Sequence, residues 1–489
     1  MRAAVLAAPP FASTLALGLV LGVAPATAHA ADTTVHTTAE LIAALATANP
    51  GDVITLAPGT YAIGANLRCD RAGTAGAPIT VRAATLGSAV ISSTALEGFH
   101  VTAPHWRFER LEMRGACTDD SSCEHAFHIV GAADDVTILG SRLVDFNAQI
   151  KGNGAPVGPG GAYVWPDDVV IAGNELFDTR PRNTSNPVTK IDVVGGRRWQ
   201  VRANYIHDFA KAGGDTISYA AFLKGNSRDG VMERNLVVCE RLHRGQVRLG
   251  LSLGGGGTSP DAICEDGVCN PEHQGGLLRN NVVAHCPADV GIYLNEAMAT
   301  RVYHNTLYDT TGVDVRFATS TADLRGNLMT GAIRDRNGGT STRADNVTGT
   351  GNTAFATMFR DPAALDFTLV DGAMIVDRAP TLPDVPDDFC AGARSGTYDV
   401  GAIEYVAGRA CDASMVHPDA PVVPGLDAGP DASEAPDAGH DAGIEGGPDG
   451  GGCCSTGGGA GPRALVAAAV LLAIGQRRRR RVRATVGAP

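Results

Sequence analysis

Val201-Arg202-Ala203-Asn204-Tyr205-Ile206 and, 31 residues on, Met232-Glu233-Arg234-Asn235-Leu236-Val237 share one pattern: apolar, two variable residues, asparagine, one residue, apolar. The unit recurs as Ile171…Asn174…Leu176, Leu278…Asn281…Val283, Val302…Asn305…Leu307 and Leu324…Asn327…Met329. Ile138…Ser141…Leu143 is a degenerate earlier copy. Successive asparagines from Asn174 to Asn327 lie 30, 31, 46, 24 and 22 residues apart. Periods of this size mark a solenoid, in which each copy buries a face against the next. Between the asparagines the segments are short, β-branched and alternating, as in Val313-Asp314-Val315-Arg316-Phe317, and they read as strands bounded by Gly and Asp. The pattern predicts an all-β fold, a right-handed parallel β-helix. At a tight inner turn an asparagine amide can bond the same residue of the next coil, and Asn tolerates the left-handed backbone such turns need. The 46-residue interval marks an inserted loop holding Gly254–Gly257, Cys264, Cys269 and Glu272-His273.

A solenoid must cover its ends. Thr37-Thr38-Ala39-Glu40 fits a capping box, followed by apolar Leu41, Ile42 and Leu45, and predicts an N-terminal cap helix. Residues 1–30 run from Arg2 through apolar Leu15–Val23 to Ala28-His29-Ala30, the form of an export signal. The β-helix is expected over 31–410. Residues 411–452 are rich in Asp, Ala, Pro and Gly and form an acidic spacer unable to bury a core. Residues 453–489 hold Cys453-Cys454, a short apolar segment and Arg477–Arg481. That order resembles the C-terminal sorting tail of myxobacterial exported proteins. The resemblance implies a processed tail, a surface anchor on Cys453 or Cys454, and a location on the bacterial outer surface.

Cysteine use agrees with an oxidising compartment. The expected pairs are Cys117/Cys123, Cys264/Cys269, Cys239/Cys286 and Cys390/Cys411, with Cys69 left free. The net charge of −12 argues against nucleic acid as a partner. A monomer is expected.

Ala48-Asn49-Pro50-Gly51-Asp52, Leu56-Ala57-Pro58-Gly59-Thr60-Tyr61 and Ala77-Pro78-Ile79-Thr80-Val81 resemble the N-terminus of chondroitinase B and its related alginate lyases. Asp366-Phe367-Thr368-Leu369 with Asp399–Tyr405 resembles the closing coil of exported β-helix proteins. The resemblance implies a β-helix polysaccharide lyase. It departs from the family at one point: where those lyases carry an acidic pair and then a lysine, this chain reads Lys190-Ile191-Asp192-Val193-Val194-Gly195-Gly196. Where the family has Arg-His-Gly, it reads Leu223-Lys224-Gly225.

Strand alternation selects the outward side chains: His128, Gln149, Lys151, Lys190, Asp192, Phe222, Lys224, Arg248, Ser252, Tyr293, Asn295, Asp314 and Arg316. Their cations suit an extended anionic polymer, and glycines 254–257 would let it approach the backbone. β-Elimination of a uronic-acid glycan needs a neutraliser for the carboxylate, a base and an acid. Lys190, Lys224 and Arg248 are the candidate catalytic trio. His128, Gln149, Lys151, Tyr293, Asn295 and Arg316 are candidate substrate-binding residues, and Asp192 is a candidate Ca²⁺ ligand. The leading reading is an extracellular lyase acting on an acidic glycan. The alternative is a non-catalytic cell-surface carbohydrate-binding or adhesion protein. A hydrolase would want paired carboxylates, but Asp192 and Asp314 fall on distant coils.

Overall fold

The computed structural model describes residues 30–158, 161–409 and 411. Short strands stack into three long parallel sheets of 12, 10 and 10 strands. Sheet I runs from Asp32–Val35 to Thr340–Ala344, sheet II from Gly59–Ile63 to Leu328–Met329, and sheet III from Leu67–Cys69 to Ala332–Arg336. Each coil contributes one strand to each sheet in turn, which is a right-handed parallel β-helix. Inside, like positions stack. In sheet III, Phe99, Phe127, Ile150, Ile191, Ala221, Leu251, Ile292 and Val313 are in register, one coil above another, and all belong to the main apolar core. Burying each large apolar side chain contributes roughly 1.5–3 kcal/mol, so stacking is what holds the coils together.

The repeating asparagines form a continuous ladder. The side-chain amide of Asn174 donates to Oδ1 of Asn204 at 3.0 Å, and the bond repeats from Asn204 to Asn235, Asn281, Asn305, Asn327 and Asn346. Each Oδ1 also accepts the backbone N–H of the preceding rung, as in Asn204 to Asn235 at 3.1 Å. Ser141, the degenerate copy, begins the ladder, its backbone N–H donating to Asn174 Oδ1 at 2.9 Å. The left-handed backbone falls one residue earlier than expected: Gly173, Ala203, Arg234, Asn280, His304, Gly326 and Asp345 all have positive φ. The asparagine is selected for its two-sided amide, and its neighbour takes the turn.

Helix Thr38–Thr47 caps the first coil, with Thr37 Oγ1 accepting from the Glu40 N–H at 3.2 Å. Leu41 and Leu45 are buried, but Ile42, expected on the same face, is exposed. The other end also differs from expectation. Asp366–Leu369 does not close the solenoid; it pairs antiparallel with Phe359–Asp361. Residues after 350 fold along the outside of the helix, where Phe355, Phe359, Phe367 and Tyr398 pack with Tyr205, Leu236 and Tyr308 in a second core. Apolar residues at outward positions of sheet II created that second surface to cover. Disulfides join Cys117–Cys123, Cys239–Cys286, Cys264–Cys269 and Cys390–Cys411, and Cys69 is free and buried. The expected export signal, the spacer and the Cys453-Cys454 tail lie outside the described residues. Among the described residues, no helix is long and apolar enough to cross a membrane.

Candidate active site

On the outer face of sheet III, register places one side chain per coil in a single row: Arg68, His100, His128, Lys151, Asp192, Phe222, Ser252, Tyr293, Asp314 and Arg334. Neighbours in the row are about 4.8 Å apart, the strand spacing. A second row, two residues further along the strands, holds Asn153, Val194 and Lys224, and later Asn295 and Arg316.

A cleft of about 510 Å³ opens over these rows, lined by Glu97, His125, His128, Lys151, Asp192 and Lys224. Two departures from the repeat build its rim. One is the hairpin pairing Ala155–Pro156 with Tyr163–Val164. The other is the inserted loop, whose Ile263 carbonyl accepts a hydrogen bond from Trp165 Nε1 at 3.3 Å. Gly195 sits at the position where the lyase resemblance expects lysine. A Cβ there would meet Trp165 at 2.1 Å, so the glycine makes room for the tryptophan that anchors this rim.

Inside the cleft, Lys151 Nζ donates to Asp192 Oδ1 at 2.7 Å. Lys224 Nζ donates to the Gly257 carbonyl at 2.7 Å and lies 4.9 Å from the Phe222 ring centroid. Burial would raise the Asp192 carboxyl, but Lys151 and Lys224 outweigh it and hold the group below its usual range. Asp192 is thus a carboxylate whose charge is held by two lysines, with Glu124 in the same cleft. Ca²⁺ wants six to eight oxygen ligands, and these residues do not fit it.

At the other end of the cleft, Glu97 Oε1 contacts His128 Nδ1 and Glu97 Oε2 contacts His100 Nδ1, both at 2.8 Å. Burial opposes the charge on Glu97, but these two hydrogen bonds prevail and hold its carboxyl well below the ordinary range. His125 reaches the same place through a backbone irregularity. The N–H groups of both Ala126 and Phe127 donate to the Gln149 carbonyl, a local break in the pleat, without a register shift, that turns His125 to the face of His128. His125 Nδ1 lies 2.9 Å from the Ala148 carbonyl. Burial, reinforced by the charge of His128 and Lys151, holds His125 down at about 3, so it is neutral. Glu124, also lining the cleft, is raised by burial despite bonds from Asn186 and Asn147.

The structure thus brings together His128, Lys151, Asp192 and Lys224 from the sequence-derived set, and adds Glu97, His125 and Glu124. Tyr293, Asn295 and Arg316 continue the groove beyond the cleft. The Arg316 guanidinium donates to Tyr293 Oη at 2.9 Å, and Asn295 Nδ2 donates to the Gly255 carbonyl at 2.8 Å. Three expectations of outward exposure are corrected. Lys190 is fully buried, its Nζ donating to Asp178 Oδ2 at 2.6 Å and to the Phe146 carbonyl at 2.8 Å. Arg248 is buried under residues 239–247, donating to the carbonyls of Gly245 and Cys239. Gln149 is buried, its Nε2 donating to the Phe177 carbonyl at 2.7 Å. Strict alternation misplaced two of them: Gln149 and Lys190 share the register position of Ala126 and Ala220, which belong to the main core, while Arg248 is covered by residues 239–247. The glycine run also has an internal purpose: a Cβ on Gly254 would lie 1.7 Å from the Asn295 carbonyl oxygen. Glu272 and His273 are buried beneath the loop, where Glu272 accepts from the Gly225 N–H at 2.7 Å.

No protein-family profile matches the chain. Pectate lyase L of Dickeya chrysanthemi and its counterpart in Dickeya dadantii (strain 3937) are each 39% identical over 88 residues, 15% of this chain and 21% of the relative. The chain thus spans about a fifth of the length of the curated relatives it matches. Among solved structures, pectate lyase Pel9A superposes with a TM-score of 0.53 at 16% identity, covering 74% of this chain and 90% of that one. At that identity the likeness is one of fold.

Proposed function

We propose that this protein is an exported polysaccharide lyase that cleaves an acidic, uronic-acid glycan by β-elimination in the cleft on sheet III. The observation that carries the reading is the juxtaposition, within four consecutive coils, of His128, Lys151 and the buried Lys224 around one cleft, with Asp192 on the coil between the two lysines. An anionic chain laid along the groove meets these cations in turn, which fits a polymer better than a small molecule. Lys224, reacting as the free amine, takes the proton beside the sugar carboxylate. Lys151 faces the carboxylate and His128 the leaving glycosidic oxygen. The bond to that oxygen breaks as the carbon–carbon double bond forms, and His128 supplies the proton with which it leaves. The local similarity to pectate lyase L supports a uronic-acid substrate. Four disulfides support export, and the tail ending in residues 453–489 would hold the protein at the cell surface.

The test is incubation with a panel of uronic-acid polymers, following the ultraviolet absorbance of the unsaturated product. Activity is expected to fall about 1,000-fold or more in Lys224→Ala, as for loss of a general base. Binding of a polymer without any unsaturated product would replace the lyase with the carbohydrate-binding reading.

A further inference from the structure

Calcium does not suit Asp192, yet the opposite end of the same cleft offers a different donor set. We infer that Glu97, His125 and His128 form a binding site for a first-row divalent transition metal, with its open coordination positions facing the cleft. The ligating atoms of these three side chains lie within 4.8 Å of one another. Two imidazoles and one carboxylate suit zinc, iron, cobalt or nickel and disfavour the oxygen-seeking Ca²⁺ and Mg²⁺.

Two details point the same way. A metal-ligating histidine almost always donates its second ring N–H to a carbonyl or carboxylate, which fixes its tautomer. His125 does this: only a protonated Nδ1 can bond the Ala148 carbonyl at 2.9 Å, and Nε2 is left with its lone pair. Second, Glu97 is itself oriented, its other oxygen held by His100 Nδ1 at 2.8 Å. The 2.8 Å between Glu97 Oε1 and His128 Nδ1 is close to the spacing of about 3 Å expected for two ligands bound at about 2.0–2.1 Å to one ion. The break in the pleat at Ala126-Phe127 is the backbone device that assembles the set, because a regular strand would point His125 and His128 to opposite faces.

The competing account is a metal-free network in which His128 is an imidazolium. Its Nε2 also faces an acceptor, Asn153 Oδ1 at 2.6 Å, so both ring nitrogens would donate. In the metal-loaded site one of those protons is replaced by the ion. Placed there, the metal would offer a Lewis acid to a substrate carboxylate, the service that β-elimination needs. That use rests on the lyase reading; the site itself does not.

The test uses Co²⁺ as the probe, added to the full-length mature protein. One equivalent should bind and give visible d–d absorption without a thiolate-to-metal band. Excess Ca²⁺ should leave the signal unchanged. Glu97→Gln, near-isosteric and still able to bond His100, and His125→Ala should each weaken binding by about 100-fold or more. Circular dichroism and thermal midpoints verify that both variants fold, and Glu97→Gln suffices if His125→Ala does not. Absence of a stoichiometric Co²⁺ signal, a thiolate band, or binding indifferent to Glu97→Gln would each overturn the site. Because the readout is binding, loss of the site and failure of the lyase assay are separate results.

Discussion

Replacing Asn235 by alanine tests the ladder at its centre. The Asn235 side chain is fully buried. Its Oδ1 accepts the backbone N–H and the side-chain amide of Asn204, at 3.1 and 3.0 Å. Its Nδ2 donates to the Val201 carbonyl at 2.8 Å and to Asn281 Oδ1 at 2.9 Å. Alanine deletes all four bonds. Asn281 Oδ1 keeps the Asn235 backbone N–H, so three groups are orphaned: the Asn204 N–H, one Asn204 amide hydrogen and the Val201 carbonyl. At roughly 1–3 kcal/mol for each buried orphan, the sum is about 3–9 kcal/mol, with the lower half favoured if water enters the gap. Unfolding entropy scales with residue count, so for a body of this size 1 kcal/mol shifts the midpoint by roughly 1 °C. A drop of about 3–6 °C in thermal unfolding followed by circular dichroism is expected. The end rung, Asn346, is only partly buried, and Asn346→Ala should cost a few tenths to about 1 kcal/mol. Asn235→Asp is the sharper control. It keeps the acceptor but faces two oxygens at the Asn281 rung, so its loss should ease as pH falls and the carboxyl regains a donor. Equal effects of Asn235→Ala and Asn346→Ala would refute the ladder as a source of stability.

Three other outcomes follow from buried groups. Lys190→Met leaves Asp178 without its partner, where burial already raises that carboxyl to about 6. The single change should cost about 3–5 kcal/mol and Lys190→Met with Asp178→Leu much less, with product formation per folded molecule unchanged, as urea titration and the lyase assay would record. Cys239–Cys286 closes a loop of 47 residues, so Cys239→Ala with Cys286→Ala should cost about 4 kcal/mol by chain entropy, measurable by urea denaturation under non-reducing conditions. Burial holds His273 and His304 down at about 3. Their folded values lie below that of an unfolded histidine, so stability is lost as pH falls below about 6.5. Each group contributes up to about 1.4 kcal/mol per pH unit, and His273→Gln should flatten the dependence of the thermal midpoint between pH 7 and 5.

The architecture was legible because the ladder uses one residue type at one place in each coil, and nothing but a buried amide explains that repetition. Disulfide pairing was legible for a related reason: Cys239 and Cys286 flank the inserted loop, and the solenoid folds that loop out and back. The site was legible only in part. Period-two alternation tells which face a side chain takes, and it placed His128, Lys151, Asp192 and Tyr293 on the outer face. It carries no information about what lies above that face. Lys190 falls where the period breaks, in register with Ala220 of the core, and Asp178 and the Cys239 carbonyl hold Lys190 and Arg248 as interior supports. His125 was missed for the same reason, since His125-Ala126-Phe127-His128 puts the two rings out of phase until a break in the pleat restores them. The signal was present in the spacing of three, which a strand can use only by breaking its alternation.

A parallel β-helix has a flat outer face, and a flat face cannot desolvate a ligand or exclude water from a reaction. Concavity must come from departures from the repeat. This chain makes two such departures three coils apart: the hairpin pairing Ala155–Pro156 with Tyr163–Val164, and the insertion between Asn235 and Asn281. They meet at Trp165 and Ile263, above the stretch of sheet III that carries Lys151, Asp192 and Lys224. Longer row positions without such cover, such as Asp314 with Arg334 and Arg336, settle into ion pairs with one another. Chemistry therefore belongs where the irregularities converge, and the uncovered remainder of the groove is suited to holding the rest of a long chain. The same logic accounts for the glycine at 195. There the space is taken by the tryptophan that closes the rim, which a Cβ would meet at 2.1 Å. Lys224 is in register with Val194, one residue before that glycine, on the next coil up.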